Sequence, residues 1–569
     1  MENLSDYGKP DVNLGCTSVI KMYEDSFRRH WNLTAMIDYE GLSLTYGEVA
    51  ERIARYHIIF ENCGVRRGDK ISVCGRNCSD WAVAFLAIFT YGAVPVPILN
   101  DFKSDNIHMI VNHSESVLLI AGGQVWEKLT ADEMPELAGV IVFDDCRLTL
   151  SRNDALSSAF DIMSSEYVKK FPGGLKPDGV IYEAERDEND LAILNYTSGT
   201  TSDPKGVMIP YRAVMLNMQF ACRNIPLQHD HRVVAILPLA HMFGLSFQMM
   251  YELLLGCGVC FLDRTPTPAV LFKAFAEIKP KMILTVPLII EKIVRQEIVP
   301  VLGTPMMKMA MCIPGVCGMI GNKIRNKIVN VLGGEMDILV IGGAALSPDV
   351  EKILRKIRFH YTVGYGTTEC APLIAYSAWY EYKQGSSGKI LPGTQCDIFS
   401  TDSHNETGEI LIKGPNVMLG YYKNPTATRE TIDPAGWYHT GDIGTIDSEG
   451  NITIKGRSKN MIPGPSGQNI YPEEIEDVLN NMPFVLESLV MQNADNGLVA
   501  LVCPDMEAVD KAHFTTAQIR AQMEENRKQV NTQVAAYEQL TQIRIFPHEF
   551  EKTPKKSIKR FLYNATMGE

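Results

Sequence analysis

From residue 41 to residue 123 the chain alternates between helical and extended patterning, and glycine marks the changes. LTYGEVAERIARYHIIFENCG carries apolar residues at helical spacing and stops at Gly64. GDKISVCG reads as a short strand between glycines, DWAVAFLAIFTYG as a helix and AVPVPIL as an extended segment. Strands separated by helices can run parallel, with helices on the sheet faces, so the alternation predicts an α/β fold built on parallel sheets. The pattern returns in KMILTVPLIIEKIV (281–294), a strand then a helix, and in DILVIGGAALSPDV (337–350), a buried strand that passes through a Gly-Gly-Ala turn into a helix. At 569 residues the chain is too long for one core; at about 150 residues per domain it divides into three or four folding units.

The net charge of −13 argues against nucleic acid as a partner, because phosphate backbones need a basic surface; a local basic funnel for a nucleotide remains compatible with it. Thirteen cysteines without CxxC pairs match no zinc or disulfide spacing and fit the reduced thiols of a cytoplasmic protein. MENLSDYGKP lacks the charged and apolar regions of a secretory signal. The most apolar stretch, 309–321, contains Pro314 and is shorter than the roughly 20 residues of a membrane span, which leaves peripheral membrane contact as the most it offers.

The chemistry concentrates after the apolar run 191–194, in YTSGTTSDPKG (196–206). Hydroxyls of Thr197, Ser198, Thr200, Thr201 and Ser202 can donate to phosphate oxygens, Gly199 lets the backbone approach, and Lys205 adds a compact positive charge. The loop is no Walker A sequence, since Lys205 precedes Gly206 and Val207 follows. A helix over 214–222, starting just past the loop, would add its N-terminal dipole. Downstream, VVAILPLAHMFG (233–244) is a buried strand that ends in His241, Phe243 and Gly244. HYTVGYGTTEC (360–370) runs from a strand into Tyr365, Gly366, Thr367, Thr368 and Glu369. The turn Gly342, Gly343, Ala344 offers backbone to a flat ligand, and a Thr-Glu pair suits Mg²⁺, which takes few carboxylates beside phosphates.

Other stretches set the frame. Residues 151–190 are polar and include FPGGLKPDG, which reads as an irregular connector. The methionine-rich 306–319 reads as core packing. From 385 to 455, GEILIKG and NITIKG lie between glycine turns, which predicts a small β-barrel or antiparallel unit with Asp442 of YHTGDIG in a tight turn. A separate small α/β unit follows from about residue 460.

These motifs, in one order from about residue 40 to the C-terminus, resemble the adenylate-forming ligase superfamily: acyl-CoA synthetases, luciferases and peptide-synthetase adenylation domains. Its signature loop runs roughly [YF]TSG[ST]TGxPKG, from which Ser202 departs. The resemblance implies ATP binding by Thr197, Ser198, Gly199, Thr200, Thr201, Lys205, Gly342, Gly343, Ala344, Tyr365, Gly366 and Thr367, with Asp442 and Arg457 on the ribose. It implies catalytic roles for Thr368 and Glu369, with Mg²⁺ on Glu369, and acyl binding by His241, Phe243 and Gly244. It puts a hinge at Lys459 and a coenzyme A-side loop at Gly467. The family pattern KTPxxK[IL]xR carries a catalytic lysine where this chain has Ser557, with Lys556 and Lys559 on either side. If Ser557 caps a helix starting at Ile558, Lys556 is the better placed.

The expected organisation is an adenylation domain over 1–456 with its β-rich part at about 385–455, a hinge at 457–460 and a mobile C-terminal domain over 461–569. VPLIIEKI and NIYPEEIE are similar to the long-chain branch, which implies ATP-dependent activation of a fatty acid to acyl-AMP and transfer to coenzyme A. Loading of an acyl-carrier protein, or acyl and nucleotide binding without catalysis, are the alternatives.

Overall fold

The computed structural model describes residues 12–197, 204–262, 267–302, 304, 316–344, 346–400, 407–463, 469–553 and 558–569. The first helix read from the sequence runs Tyr46–Cys63. It begins on a capping box between Thr45 and Glu48 and ends at Gly64, whose φ of 83° is the left-handed cap that glycine adopts without strain. The strands Lys70–Gly75 and Val94–Leu99 pair in parallel register from Lys70 opposite Val94 to Gly75 opposite Leu99. They belong to a five-stranded sheet whose last strand, Arg147–Ser151, is antiparallel. The helix between them, Ser79–Tyr91, is buried along almost its whole length, which is why its sequence is apolar on every side.

A second sheet of seven strands holds Tyr361–Val363, Ile338–Ile341, Met282–Thr285, Arg232–Ala235, Gly258–Phe261 and Thr34–Asp38 in parallel, with Ser43–Thr45 antiparallel at the edge. Four strands between residues 395 and 457 form an open antiparallel sheet, with Gln395–Phe399 and Ile452–Arg457 at its edges. The β-rich unit thus takes the antiparallel form without closing into a barrel. The C-terminal strands Val485–Gln492, Leu498–Pro504 and Leu540–Ile545 pack with the helices Pro472–Leu479 and Thr516–Asn531 around their own core of Ile475, Leu479, Val490, Ala500 and Val530.

Three expectations need correction. The connector 151–190 contains a 17-residue helix, Asp154–Lys170, capped by Asn153. Only Leu156, Ala159 and Tyr167 of it are buried, so its apolar stripe is too narrow to show in the sequence; it lies on Tyr46–Cys63, with the Arg55 guanidinium 4.2 Å from the Tyr167 ring centre. The helix after the glycine-lysine loop does not start at the loop. Lys205–Pro210 turns back as a strand antiparallel to Leu191–Thr197, and the helix Tyr211–Asn224 begins where Pro210 faces Leu191. Six strand residues, about 20 Å, thus separate its N-terminus from the loop, and its dipole is not a phosphate contact. Asp442 lies within the strand Tyr438–Ile446, not in a turn: two more residues on this strand than on its partner lie between Glu409 opposite Ile443 and Leu411 opposite His439, and Gly441 takes φ 70° in that bulge.

Candidate active site

Three of the turns singled out by sequence leave the carboxyl ends of parallel strands in the seven-stranded sheet. Gly342 follows Ile338–Ile341, Tyr365 follows Tyr361–Val363, and His241 lies a few residues beyond Arg232–Ala235. In open α/β sheets that edge is where ligands bind.

The hairpin joins this edge from the side. Its last pair sets Thr197 opposite Lys205; Ser198, Gly199, Thr200 and Thr201 lie outside the described residues, as do Lys556, Ser557 and Gly467. A two-residue strand, Gly420–Tyr421, pairs with the outer edge of Lys205–Pro210, with Tyr421 opposite Val207. Positions 205 and 207 share a face, so Lys205 and Tyr421 are diagonal neighbours, and the Lys205 ammonium sits 5.1 Å from the centre of the Tyr421 ring. The Tyr421 hydroxyl donates a 2.9 Å hydrogen bond to Glu369 Oε1. Sequence reading missed Tyr421; its one signal was an aromatic pair between Gly420 and Lys423.

Glu369 stands in the single turn Thr368–Cys370, where its backbone carbonyl accepts from Met418. Thr368 opens that turn and is buried. Gly366 is there for close approach: a Cβ would lie 2.1 Å from the carbonyl oxygen of Pro372, the group to which Thr367 N–H donates. Glu369 Oε2 has no hydrogen-bond partner among the described residues. Among those residues no group of three or more His, Cys, Asp and Glu suits a metal. A lone carboxylate with one free oxygen fits Mg²⁺ that shares its remaining positions with phosphate and water.

Next to it, the Tyr365 hydroxyl donates a 2.6 Å hydrogen bond to Asp442 Oδ2, and Arg457 Nε pairs with Asp442 Oδ1 at 2.9 Å. Asp442 is 4% exposed. Burial pushes its carboxyl up from the usual range, against the opposing pull of Arg457 and Tyr365, and the charge of Glu369 adds to the rise. Lys459 lies just beyond, in the turn Ser458–Asn460.

The third set joins His241, Phe243 and the Gly-Gly-Ala turn. His241 caps the short helix Met242–Leu245, its Nδ1 accepting from Phe243 N–H at 3.2 Å. Gly244 has no room for a side chain, since a Cβ would lie 2.5 Å from the Pro238 carbonyl oxygen. Phe243 lies against buried Gly342, beyond which Gly343 and Ala344 are exposed. Asn195 of the hairpin donates to the Ala240 carbonyl at 2.9 Å and ties this segment to the glycine-lysine loop.

The C-terminal lysine segment differs from expectation. No α-helix starts at Ile558; that residue bridges Lys552, and a single turn follows over Arg560–Leu562. Lys559 pairs with Glu551 through both its ammonium and its backbone. Among the described residues no helix is long and apolar enough to cross a membrane.

The family model described as AMP-binding enzyme matches residues 23–422, and the chain belongs to that family as an adenylate-forming ligase. It is similar to the long-chain-fatty-acid–CoA ligase FadD15 of Mycobacterium bovis, 27% identical over 92% of this chain and 91% of that protein. The long-chain-fatty-acid–CoA ligase of Escherichia coli is 28% identical over 83% and 82%. The fold is also that of the anthranilate CoA ligase AuaEII in complex with anthranoyl-AMP, with a TM-score of 0.77 at 19% identity over 99% of this chain and 98% of that one. O-succinylbenzoate coenzyme A synthetase (MenE) from Bacillus subtilis, in complex with AMP, gives 0.72 at 20% identity over 96% and 99%.

Proposed function

We propose that the protein joins a fatty acid to coenzyme A through an acyl-adenylate. The observation that carries the reading is the convergence at one sheet edge of Lys205, Tyr421 and Glu369 with Tyr365, Asp442 and Arg457. The long-chain-fatty-acid–CoA ligases at 26–28% identity support the choice of acid and acceptor.

In the first step a carboxylate oxygen of the fatty acid attacks the α-phosphorus of ATP, the bond from that phosphorus to the bridging oxygen breaks, and pyrophosphate leaves. Two anions must meet, so the site has to offset charge. Lys205 and the hydroxyls of 197–202 hold the phosphates. Gly342, Gly343 and Ala344 present backbone to the adenine with Tyr365 beside it, and Asp442 accepts from the ribose with Arg457 alongside. Glu369 would hold Mg²⁺, which neutralises phosphate charge when bound. His241, Phe243 and Gly244 line the acyl end. In the second step the sulfur of coenzyme A attacks the acyl carbon, the bond to the AMP oxygen breaks, and AMP leaves; the thiol proton passes to solvent. No covalent nucleophile on the protein is required.

The C-terminal unit from residue 461 supplies a lysine in the first step and turns about Lys459 to bring the Gly467 loop up in the second. We place the protein in the cytoplasm. The test is pyrophosphate release with ATP and Mg²⁺ across carboxylates from acetate to palmitate, with and without coenzyme A. Release that depends on a fatty acid, with a coenzyme A thioester formed, is the expected result. Release without that thioester would point to an acyl-carrier protein, and binding without release to a protein that Ser557 has left inactive.

A further inference from the structure

Lys205 and Glu369 carry opposite charges, and both contact Tyr421. A lysine and a glutamate that met directly would form an ion pair, and each would then be poorer at its own task. Tyr421 engages both. Its ring receives the Lys205 ammonium at 5.1 Å, and its hydroxyl occupies Oε1 of Glu369 at 2.9 Å while Oε2 stays open among the described residues.

The ring is itself held firmly. Tyr421 is 8% exposed, its backbone N–H donates to Thr428 Oγ1 at 2.9 Å, and the next residue, Tyr422, donates to the Gly206 carbonyl at 2.7 Å. Both anchors lie in the hairpin sheet or in the helix Pro425–Thr431 beside it.

We propose that Tyr421 is a positioning residue that keeps the Lys205 ammonium and the Glu369 carboxylate from neutralising each other, so that the first stays available to the phosphates and the second to a divalent cation. This rests on the reading of Glu369 as the cation ligand. Tyr421 touches neither reacting atom. It acts by holding two charged groups apart, through a hydrogen bond on one side and a cation–π contact on the other.

The experiment measures Mn²⁺ binding to the full chain saturated with ATP, by electron paramagnetic resonance, without fatty acid or turnover. The proteins are the parent, E369Q, Y421F, Y421L, K205A and Y421L/K205A. E369Q should weaken Mn²⁺ about tenfold or more. Y421F, which loses the hydroxyl and keeps the ring, should weaken it about fivefold. Y421L should weaken it about as much as E369Q, because Lys205 then falls onto Glu369. In Y421L/K205A the affinity should return to within about threefold of K205A alone. Equal loss in Y421L with and without Lys205 would reduce Tyr421 to a packing residue and overturn the inference, as would parent-like binding in Y421F if Y421L does not fold. Parent-like binding in E369Q would overturn the cation reading of Glu369 first, and this inference with it.

Discussion

The ring of Phe243 fills the space that a side chain at position 342 would need: a Cβ on Gly342 would lie 2.6 Å from Phe243 Cζ. A residue read as acyl-lining and a turn read as adenine-binding therefore share one van der Waals boundary. Gly342→Ala must displace the ring, and overpacking of this kind costs about 1–3 kcal/mol. We expect a lower melting temperature and higher KM values for ATP and fatty acid together. Phe243→Leu in the same chain should restore most of both, as calorimetry and steady-state kinetics on the double variant would show.

Tyr365→Phe removes the donor from Asp442 Oδ2 and leaves the Arg457 pair in place. A hydrogen bond to a charged group contributes about 1.5–3 kcal/mol. Under the proposed reading the KM for ATP rises roughly tenfold or more while kcat changes little. Asp442→Asn, which also removes the ion pair, should be worse. An unchanged KM in both variants would take the ribose away from Asp442.

The two lysines beside Ser557 can be separated. The helix that would have favoured Lys556 does not form, but Lys559 is engaged by Glu551 at the surface, and the expected order rests on that engagement. We expect Lys556→Ala to lower fatty-acid-dependent pyrophosphate release about 100-fold, the scale of one lost transition-state donor, and Lys559→Ala less than about tenfold. The reverse order would move the assignment to Lys559.

Glu252 is fully buried, with no hydrogen-bond partner on either carboxylate oxygen among the described residues, near Tyr23, Tyr46, Cys222 and Cys257. Burial pushes its carboxyl from 4.5 to about 8. The folded state therefore holds a proton that the unfolded chain has released, and stability falls as pH rises. The contribution is full below about pH 4.5 and lost by about pH 8, with a slope near 1.4 kcal/mol per pH unit for one proton. Glu252→Gln should flatten the denaturation midpoint over this window, and an equally steep profile in the variant would assign the slope to other groups.

Lys459 lies in the turn Ser458–Asn460, directly after the Arg457 that pairs with Asp442. Lys459→Pro stiffens this point. The expected result is acyl-AMP formation near the parent rate with thioester formation reduced at least tenfold, about 1.4 kcal/mol of barrier. Single-turnover assays of each half-reaction would decide it, and an equal fall in both would remove the hinge.

Parts of the fold that rest on local punctuation were legible in the sequence. Gly64 and Gly92 end helices because each adopts a left-handed backbone, and a glycine after an apolar periodic run announces this directly. What escaped depended on pairing between distant segments. The helix Asp154–Lys170 is held by one narrow stripe against another helix. The bulge at Gly441 exists only relative to its neighbour Gly408–Lys413. The hairpin after residue 197 hid because GVMIP is short and its strand partner precedes the loop. Tyr421 was missed for the same reason: its importance comes from residues 369 and 205, and within its own stretch only the aromatic pair marks it.

The strand Gly420–Tyr421 also bears on how the chain is made. It shields the outer edge of Lys205–Pro210, yet more than two hundred residues are synthesised between the two. Until the ribosome has passed residue 421 the hairpin presents a bare row of amide and carbonyl groups, a template on which another nascent chain can dock. Completion of this three-stranded sheet is thus a late event in translation.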